Sequence, residues 1–223
     1  MATRVCLMRH GETQWNAEGR LQGQIDIGLN AAGRAQAQAA ARRLARLPIT
    51  RILSSDLSRA ADTAAAAGEA LGLKVVVTPR WRERFFGDFQ GLTHDEAKAR
   101  FPDAHARFRA REPDAPLPGG GESFSAFYDR VALALTDLAA AHEGETVLVV
   151  AHGGALDMAR RFATGLDLRA PRDYSLLNAS LNWLRKDAAG WSLDPRGWGD
   201  VSHLETAHLE TSKDEAFDAA RAG

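Results

Sequence analysis

The chain has 223 residues, a formal net charge of −1 and one cysteine. This length suffices for one substantial α/β core or two small ones. The nearly balanced charge predicts no broad attraction to nucleic acid or to an anionic membrane surface. A single cysteine excludes an internal disulfide framework and favours a reducing cytoplasm as the location. That residue, Cys6, lies in an apolar run and is expected to be a core thiol.

The N-terminus lacks the pattern of a secretory signal. Only Val5 to Met8 is apolar before Arg9 and His10 follow, which is too short for a signal core. No stretch approaches the roughly 20 apolar residues that a membrane-spanning helix needs. We therefore expect no membrane partner.

Short apolar runs predict strands, and longer Ala-rich or amphipathic stretches between them predict helices. The predicted strands, in chain order, are 5–8, 52–53, 74–78 and 146–151, followed by a late hairpin of 179–185 and 191–193. The predicted helices are 31–47, 57–71, 93–100, 103–111, 123–142 and 153–164. Asn30 is a good N-cap for the first helix, and Pro48 follows its end. Residues 113–121, with three prolines and three glycines, predict an irregular loop.

The order of these elements predicts the architecture. Residues 146–151 show no alternation of apolar and polar side chains, so both faces of this strand should be covered, as in a parallel sheet between helices. Strands that alternate with helices of crossover length predict an open three-layer α/β/α sandwich with a mostly parallel central sheet. No repeat or long linker divides the chain, so we expect one domain over 1–223, in which 202–223 is a docked final helix or a mobile tail.

Two histidines directly follow predicted strands, and a glycine directly follows each histidine. His10 precedes Gly11, and His152 precedes Gly153. Ligands bind at the carboxyl ends of strands in open parallel sheets, so neighbouring strands would bring both imidazoles to one crevice. Glycine leaves the backbone open to a ligand.

Loops after two further strands bring Arg59, on the first turn of its helix, and Glu83 towards the same edge. Arginine forks match the oxygens of a phosphoryl group. An unprotonated imidazole is a competent nucleophile near neutral pH, since histidine titrates near roughly 6.5. A carboxylic acid can protonate a leaving oxygen and then, as carboxylate, activate water. Fixed cations can stabilise the developing charge, so this chemistry requires no metal and no other cofactor.

Six motifs in this order resemble the signature of a known family. They are Leu7-Met8-Arg9-His10-Gly11-Glu12-Thr13 with Trp15-Asn16, Arg20-Leu21-Gln22-Gly23, Ser54-Ser55-Asp56-Leu57-Ser58-Arg59-Ala60, Glu83-Arg84-Phe85-Phe86-Gly87, Pro118-Gly119-Gly120-Gly121-Glu122-Ser123 and Val149-Val150-Ala151-His152-Gly153-Gly154. Together they are similar to the histidine phosphatase (phosphoglycerate mutase-like) superfamily over roughly residues 3–185. An Arg-His-Gly tripeptide alone would be weak evidence for the family, but six motifs in the expected order are specific for it.

The resemblance implies a catalytic role for five residues. His10 would be the nucleophile and phosphate carrier. Arg9, Arg59 and His152 would bind the phosphoryl oxygens and stabilise the developing charge. Glu83 would be the general acid and then the base for water. We further expect His152 to be protonated when phosphate is bound, which would sharpen its role as a donor.

The resemblance also implies a set of substrate-binding residues. Asn16, Gln22 and the backbone near Gly23 and Gly153 would line the phosphate pocket. Phe86 lies close enough to Glu83 in the sequence to line it as well. The expected partner is a small phosphorylated metabolite.

Several residues have competing interpretations. Arg82 and Arg84 flank Glu83, so a surface ion-pair cluster is an alternative to catalysis there. The arginines at 107, 109 and 111 form either a solvated helix face or a group that reaches a second anion of the substrate. Among the five remaining histidines, those at 94, 105 and 142 are predicted to be surface residues.

The shared chemistry does not separate phosphatases from mutases, because the two differ in whether water reaches the phosphohistidine. The mutases of the family carry a longer, more basic insertion in the region corresponding to 91–123. This chain has a short helical segment there, which favours a phosphomonoester hydrolase. A mutase-type transfer and a non-catalytic phospho-ligand binder remain alternatives. The sequence leaves open which ester is the substrate and whether the chain forms a homodimer.

Overall fold

The computed structural model describes residues 1–204, which contain six strands and seven α-helices. The strands are β1 (Thr3–Arg9), β2 (Arg51–Ser54), β3 (Val75–Val77), β4 (Thr146–Ala151), β5 (Leu181–Asp187) and β6 (Gly190–Leu193). The helices are α1 (Gln14–Glu18), α2 (Ala31–Leu44), α3 (Ser58–Leu71), α4 (His94–Arg100), α5 (Pro102–Arg109), α6 (Phe124–Ala141) and α7 (Gly153–Thr164). The final helix or tail predicted over 202–223 lies, from residue 205 onwards, outside the described residues.

All six strands belong to one sheet with the order β3-β2-β4-β1-β5-β6. The first four in this order pair in parallel, and β5 and β6 add an antiparallel hairpin at one edge. The predicted α/β fold with a mostly parallel sheet is confirmed, and so is the late hairpin.

Helices cover both faces of the sheet, which explains why the central strands are apolar throughout. On β1, Val5 and Leu7 pack into a core with α6 and α7. Cys6 and Met8 point to the other face and pack with α2 and α3. Every residue of β4 is buried, as the absence of alternation predicts.

The topology of the sheet brings together His10 and His152, the two histidines that follow predicted strands. Strands β1 and β4 are parallel neighbours, with Arg9 opposite Ala151 in the register. The backbone N–H of His10 donates to the Ala151 carbonyl at 3.0 Å, so the ladder continues to the last residue before each loop. His10 and His152 therefore leave the same edge of the sheet from adjacent strands.

A few element boundaries differ from the sequence prediction for local reasons. Helix α1 is not anticipated; it is held by a reciprocal capping box between Thr13 and Asn16. Strand β5 begins at Leu181 rather than at Ala179, because Ala179 adopts a left-handed backbone with φ of 57°. Its N–H donates to the carbonyl of Arg9 at 3.0 Å instead of extending the strand.

The segment between β3 and α6 forms a small additional core beside the main sheet. It buries Leu21, Phe89, Ala97, Ala104 and Leu117. The prediction that His105 is a surface residue is wrong: its side chain is buried, with its ring centroid 6.4 Å from that of Phe89. The imidazole packs against this small apolar core. The polar residues next to His105 in the sequence give no indication of that core.

Cys6 is fully buried, which confirms the prediction of a core thiol. Burial raises the pKa of its thiol far above the ordinary value. No helix within residues 1–204 is long and apolar enough to cross a membrane.

Candidate active site

A cavity of about 170 Å³ opens where β1 and β4 end. Nine of the ten residues singled out from the sequence line it: Arg9, His10, Asn16, Gln22, Gly23, Arg59, Glu83, Phe86 and Gly153. The tenth, His152, is fully buried behind this wall, with its ring centroid 5.1 Å from that of His10. One small volume thus gathers residues from widely separated parts of the chain.

The imidazole of His10 is held in one tautomer by its own loop. Its Nδ1 lies 2.7 Å from the Gly11 carbonyl oxygen, which only accepts hydrogen bonds. Nδ1 therefore carries the proton, and Nε2 carries the lone pair. Burial, with the nearby charges of Arg59 and Arg9, lowers the pKa of His10 well below its ordinary value, so the ring is neutral at physiological pH.

The backbone of His10 is fixed by a segment that shows no motif in the sequence. Asn178 Nδ2 donates to the His10 carbonyl at 2.9 Å. On the other side, the Gly11 N–H donates to Thr63 Oγ1 at 3.0 Å. The first of these contacts spans 168 positions of sequence, so only the fold reveals it.

Arg59 is buried and anchors the loop that carries Gly23. Its Nη2 donates to the Gly23 carbonyl at 2.6 Å and its Nη1 to the Ile25 carbonyl at 2.9 Å. Its Nε is buried and makes no hydrogen bond with any residue that the structure describes. Burial lowers the pKa of Arg59 to about 10, which leaves the guanidinium charged at neutral pH.

Arg9 reaches the same cavity from the end of β1. Its Nη1 donates to the Leu176 carbonyl at 2.6 Å. A Cβ added to Gly153 would lie 3.5 Å from Nε of Arg9, so the first turn of α7 runs directly beside this guanidinium. Arg9 and Arg59 therefore supply two positive charges to the wall around His10.

Both carboxylate oxygens of Glu83 accept backbone hydrogen bonds. The Arg84 N–H donates to Oε1 at 2.7 Å, and the Gly154 N–H donates to Oε2 at 2.9 Å. Burial nonetheless raises the pKa of Glu83 above its ordinary value, because it outweighs these bonds and the arginine charges. A carboxyl with a raised pKa inside a cavity has the character of a general acid.

The alternative of a surface ion-pair cluster around Glu83 does not match the geometry. Arg82 turns away and forks onto Asp56, with both hydrogen bonds at 2.7 Å. Arg84 donates through Nε and Nη2 to the carbonyl oxygen of Glu122. Glu83 lines the cavity, and its carboxylate bonds to backbone N–H groups rather than to either flanking arginine.

His152 is held by a serine that the sequence analysis did not assign a role. Its Nε2 lies 2.9 Å from Ser55 Oγ, and its buried Nδ1 has no partner within residues 1–204. Burial, and then the charges of Arg59, His10 and Arg9, lower the pKa of His152 well below its ordinary value. These surroundings therefore favour the neutral form of the ring at physiological pH.

The two polar side chains predicted to line the phosphate pocket differ in how they are used. Asn16 Oδ1 accepts from both the N–H and the Oγ1 of Thr13, as part of the α1 capping box. Gln22 Oε1 is buried and finds no hydrogen-bond partner in the described part of the chain. The position of Asn16 is thus set by helix capping, whereas the Oε1 atom of Gln22 remains able to accept a hydrogen bond.

A second group of cavity residues was not assigned to the site from the sequence. These are Arg20, Leu21, Arg84, His94, Phe108, Arg111, Phe124, Phe127, Gly154, Asp157, Met158 and Arg172. His94, which was predicted to be a surface residue, is half-buried and lines the cavity. Of the three arginines at 107, 109 and 111, only the last lines the cavity.

Within residues 1–204, no group of three or more His, Cys, Asp or Glu side chains is arranged to hold a metal ion. The cavity combines a neutral imidazole, buried guanidinium groups and a carboxyl with a raised pKa. These are the groups that phosphoryl transfer through a histidine nucleophile requires.

Comparisons with known proteins agree with this class. The family model for the histidine phosphatase superfamily (branch 1) matches residues 5–199. Two Arabidopsis thaliana proteins, phosphoglycerate mutase-like protein 4 and a metal-independent phosphoserine phosphatase, are each 42% identical to the chain. The alignments cover 90% and 92% of this chain and 86% and 84% of those relatives. The structure of a mycobacterial glucosyl-3-phosphoglycerate phosphatase superposes with a TM-score of 0.77 at 36% identity, covering 89% of this chain and 99% of that one.

The chain belongs to the histidine phosphatase superfamily. It is a phosphomonoesterase of this superfamily, the group of enzymes that act through a phosphohistidine intermediate.

Proposed function

We propose that the chain hydrolyses a small phosphorylated metabolite in two steps, with His10 as the nucleophile and Glu83 as the acid and then the base. The observation that carries this assignment is one shared cavity of about 170 Å³, which is lined by His10, Glu83, Arg9 and Arg59. The tautomer of His10 leaves the lone pair on Nε2. One tetrahedral anion held there would meet all four groups.

In the first step, Nε2 of His10 attacks phosphorus and the bond from phosphorus to the ester oxygen breaks. Glu83 gives its proton to that oxygen, so the alcohol leaves neutral. The positive charge that forms on the imidazole is stabilised because Nδ1–H remains bonded to the Gly11 carbonyl. The products of this step are the free alcohol, phosphohistidine at position 10 and the carboxylate of Glu83.

In the second step, the carboxylate of Glu83 takes a proton from water, and the oxygen of that water attacks phosphorus. The bond between nitrogen and phosphorus breaks, and its electron pair returns to Nε2. Inorganic phosphate leaves, and Glu83 is again protonated. The net reaction consumes one ester and one water and yields one alcohol and one phosphate.

The cations of the cavity stabilise charge in both steps. Arg9 and Arg59 neutralise the phosphoryl oxygens, which spread their charge in a loose transition state. His152 adds a further donor once the bound anion offsets the positive charges that hold its pKa down. Asn16, Gln22 and Gly153 complete the phosphate pocket, and Phe86 lines the approach to Glu83.

Rapid-quench labelling tests the assignment. We expect wild-type protein mixed with a ³²P-labelled phosphomonoester to form a phosphoenzyme that is acid-labile and base-stable, with the label on His10. His10→Ala should form none and lose turnover by about 10³-fold or more while keeping its melting temperature within a few degrees. His142→Ala, at a histidine that pairs with Glu145 outside the cavity, is the matched control.

The fate of the label separates the alternatives. Release as inorganic phosphate supports the hydrolase, whereas return to an acceptor ester would identify a mutase. A His10→Ala protein that keeps near wild-type turnover would exclude the mechanism. We also propose a cytoplasmic location, which the single cysteine supports.

A further inference from the structure

Arg84 is a buried cation whose guanidinium is only partly used by the protein. Its side chain lines the active-site cavity and is 2% exposed. Nε and Nη2 both donate to one backbone carbonyl, that of Glu122, at 2.8 and 2.6 Å. Nη1 is buried and has no hydrogen-bond partner among the described residues. A buried donor without an acceptor lowers the stability of the folded protein unless a ligand supplies the acceptor.

No carboxylate neutralises this guanidinium directly. The carboxylate of the neighbouring Glu122 is taken by Arg130, with hydrogen bonds at 3.0 and 2.9 Å. The carboxylate of Glu83 accepts from backbone N–H groups instead. Burial lowers the pKa of Arg84 to about 10, so the group remains charged at neutral pH in spite of its surroundings.

Three aromatic rings hold the guanidinium of Arg84 in place. Its central carbon lies 4.0 Å from the ring centroid of Phe124, 5.5 Å from that of Phe108 and 6.0 Å from that of Phe86. All three rings also line the cavity. The rings fix the position of the charge without neutralising it, and they exclude water from its surroundings.

A second arginine lies on the same ring but is already paired. The guanidinium of Arg111 lies 5.0 Å from the Phe124 centroid. Its Nη2 donates to Asp157 at 2.7 Å, and its Nε donates to the Leu168 carbonyl at 2.9 Å. Arg111 therefore adds positive potential to this wall while Arg84 keeps the donor that a ligand could meet.

We propose that Arg84 forms, with the aromatic wall of Phe86, Phe108 and Phe124, a subsite for a carboxylate that the substrate carries in addition to its phosphoryl group. Arg84 and Glu83 line the same cavity, and the charge of Glu83 acts on the guanidinium of Arg84, so we place this subsite on the side of the leaving group. The assignment rests on the proposed function, because it takes the phosphoryl group to lie at His10. It makes Arg84 a specificity-determining residue.

A carboxylate fits this subsite better than a second phosphoryl group does. Nη1 is the one nitrogen of Arg84 that has no hydrogen-bond partner among the described residues, and Arg111 shares the carboxylate of Asp157 with Arg161. Nη1 can donate to the oxygens of one singly charged carboxylate, whereas a phosphoryl group brings a charge of about −1.5 to −2 and three acceptor oxygens. Such a group would need donors that Arg84 has already committed to the carbonyl of Glu122.

The test compares two ligands that differ in one group. Glycerol 3-phosphate carries a hydroxymethyl where 3-phosphoglycerate carries a carboxylate. Calorimetry on His10→Ala protein, which cannot turn either ligand over, gives both dissociation constants. We expect 3-phosphoglycerate to bind about 10- to 100-fold more tightly, the range for a hydrogen bond to a charged group. Equal affinities would overturn the subsite.

Substitutions assign the preference to one residue. In the His10→Ala background, Arg84→Gln and Arg84→Met, the second of which keeps an apolar stem on Phe124, should each bring the two affinities within about threefold by weakening only 3-phosphoglycerate. Arg82→Gln removes the arginine on the other side of Glu83, which does not line the cavity, and should keep the preference. If the Arg84 variants weaken both ligands alike, the role of Arg84 is structural and the subsite is excluded.

These measurements stand apart from the test of the hydrolase. They need no turnover, so a preference for the carboxylate that depends on Arg84 would support the subsite even if wild-type protein failed to release phosphate. Conversely, wild-type protein that hydrolyses p-nitrophenyl phosphate but shows no preference would retain the proposed function and lose the subsite.

Discussion

The Nδ1 atom of His10 lies 2.7 Å from the carbonyl oxygen of Gly11, the next residue in the chain. A backbone carbonyl, rather than a carboxylate, therefore fixes the tautomer of the imidazole. Because this acceptor does not titrate, the lone pair on Nε2 depends only on the protonation of the ring itself. The pH dependence of the enzyme then follows from His10 and Glu83.

The pH profile of kcat/KM should have one limb from each of these two groups. His10 must be neutral to attack, and its lowered pKa means that activity is lost only as the pH falls well below 6.5. Glu83 must be protonated to serve as the acid, and its raised pKa means that activity persists above the usual range of a carboxyl and falls as the pH rises through that pKa. Steady-state rates from pH 4 to 9, with the ionisation of the substrate phosphate measured separately, check this. Glu83→Gln should remove the alkaline limb, and an unchanged limb would contradict the assignment.

The effect of Glu83→Gln on the rate should depend on the leaving group. An alkyl ester such as glycerol 3-phosphate needs a proton on its leaving oxygen, so we expect kcat to fall by about 10²- to 10⁴-fold. The first step with p-nitrophenyl phosphate needs little protonation, so single-turnover formation of p-nitrophenol should slow far less. Glu69→Gln, on an exposed position of α3, is the control. Equal losses with both esters would exclude Glu83 as the acid.

Gly154 is required by the close approach of α7 to Glu83. A Cβ at this position would lie 2.2 Å from Oε1 of Glu83, which forces the carboxyl to move. We expect Gly154→Ala to lower kcat by about 10²-fold, as for partial loss of the general acid, and to lower the free energy of unfolding by about 1–3 kcal/mol.

Gly28→Ala is the matched control, since a Cβ there meets nothing within 4 Å. Rates and denaturant melts of the two variants provide the comparison. Wild-type turnover by Gly154→Ala would show that the observed position of Glu83 is not needed for catalysis.

His152 should change protonation when an anion binds. In the ligand-free protein, burial and the charges of Arg59, His10 and Arg9 keep its pKa well below the ordinary value. A bound phosphate offsets the two arginines, so the pKa of His152 should rise, and the buried Nδ1 gains an acceptor. Nitrogen-15 chemical shifts of the imidazole at pH 6.5, with and without inorganic phosphate, measure this. A neutral ring in both states would refute the expectation.

The sequence predicted the parts of the site that depend on strand ends. His10 and His152 each follow an apolar strand, and parallel pairing of those strands brings the two rings together without further information. Glycines next to them marked places where the backbone is approached closely. This logic is local, so a pattern in the chain was enough.

The parts that were missed depend on contacts between distant segments. Arg84 and Phe124 are 40 positions apart, and only the packing of the segment between β3 and α6 brings the guanidinium over the ring. Asn178 and Ala179, which hold the backbone of His10 and Arg9, lie in an irregular stretch without periodicity. The left-handed conformation of Ala179 is equally invisible, because alanine rarely adopts it and carries no signal for it.

The burial of Cys6 makes the alkylation rate of its thiol a measure of how often the sheet opens. Because this thiol is the one cysteine of the chain and is fully buried between β4 and β5, an alkylating reagent can reach it only when the sheet opens. The rate of alkylation at fixed pH therefore follows the population of the opened state. A ligand that occupies the cavity should slow alkylation in proportion to its saturation, which turns a single mass-spectrometric readout into an affinity assay that needs neither turnover nor a fluorescent label.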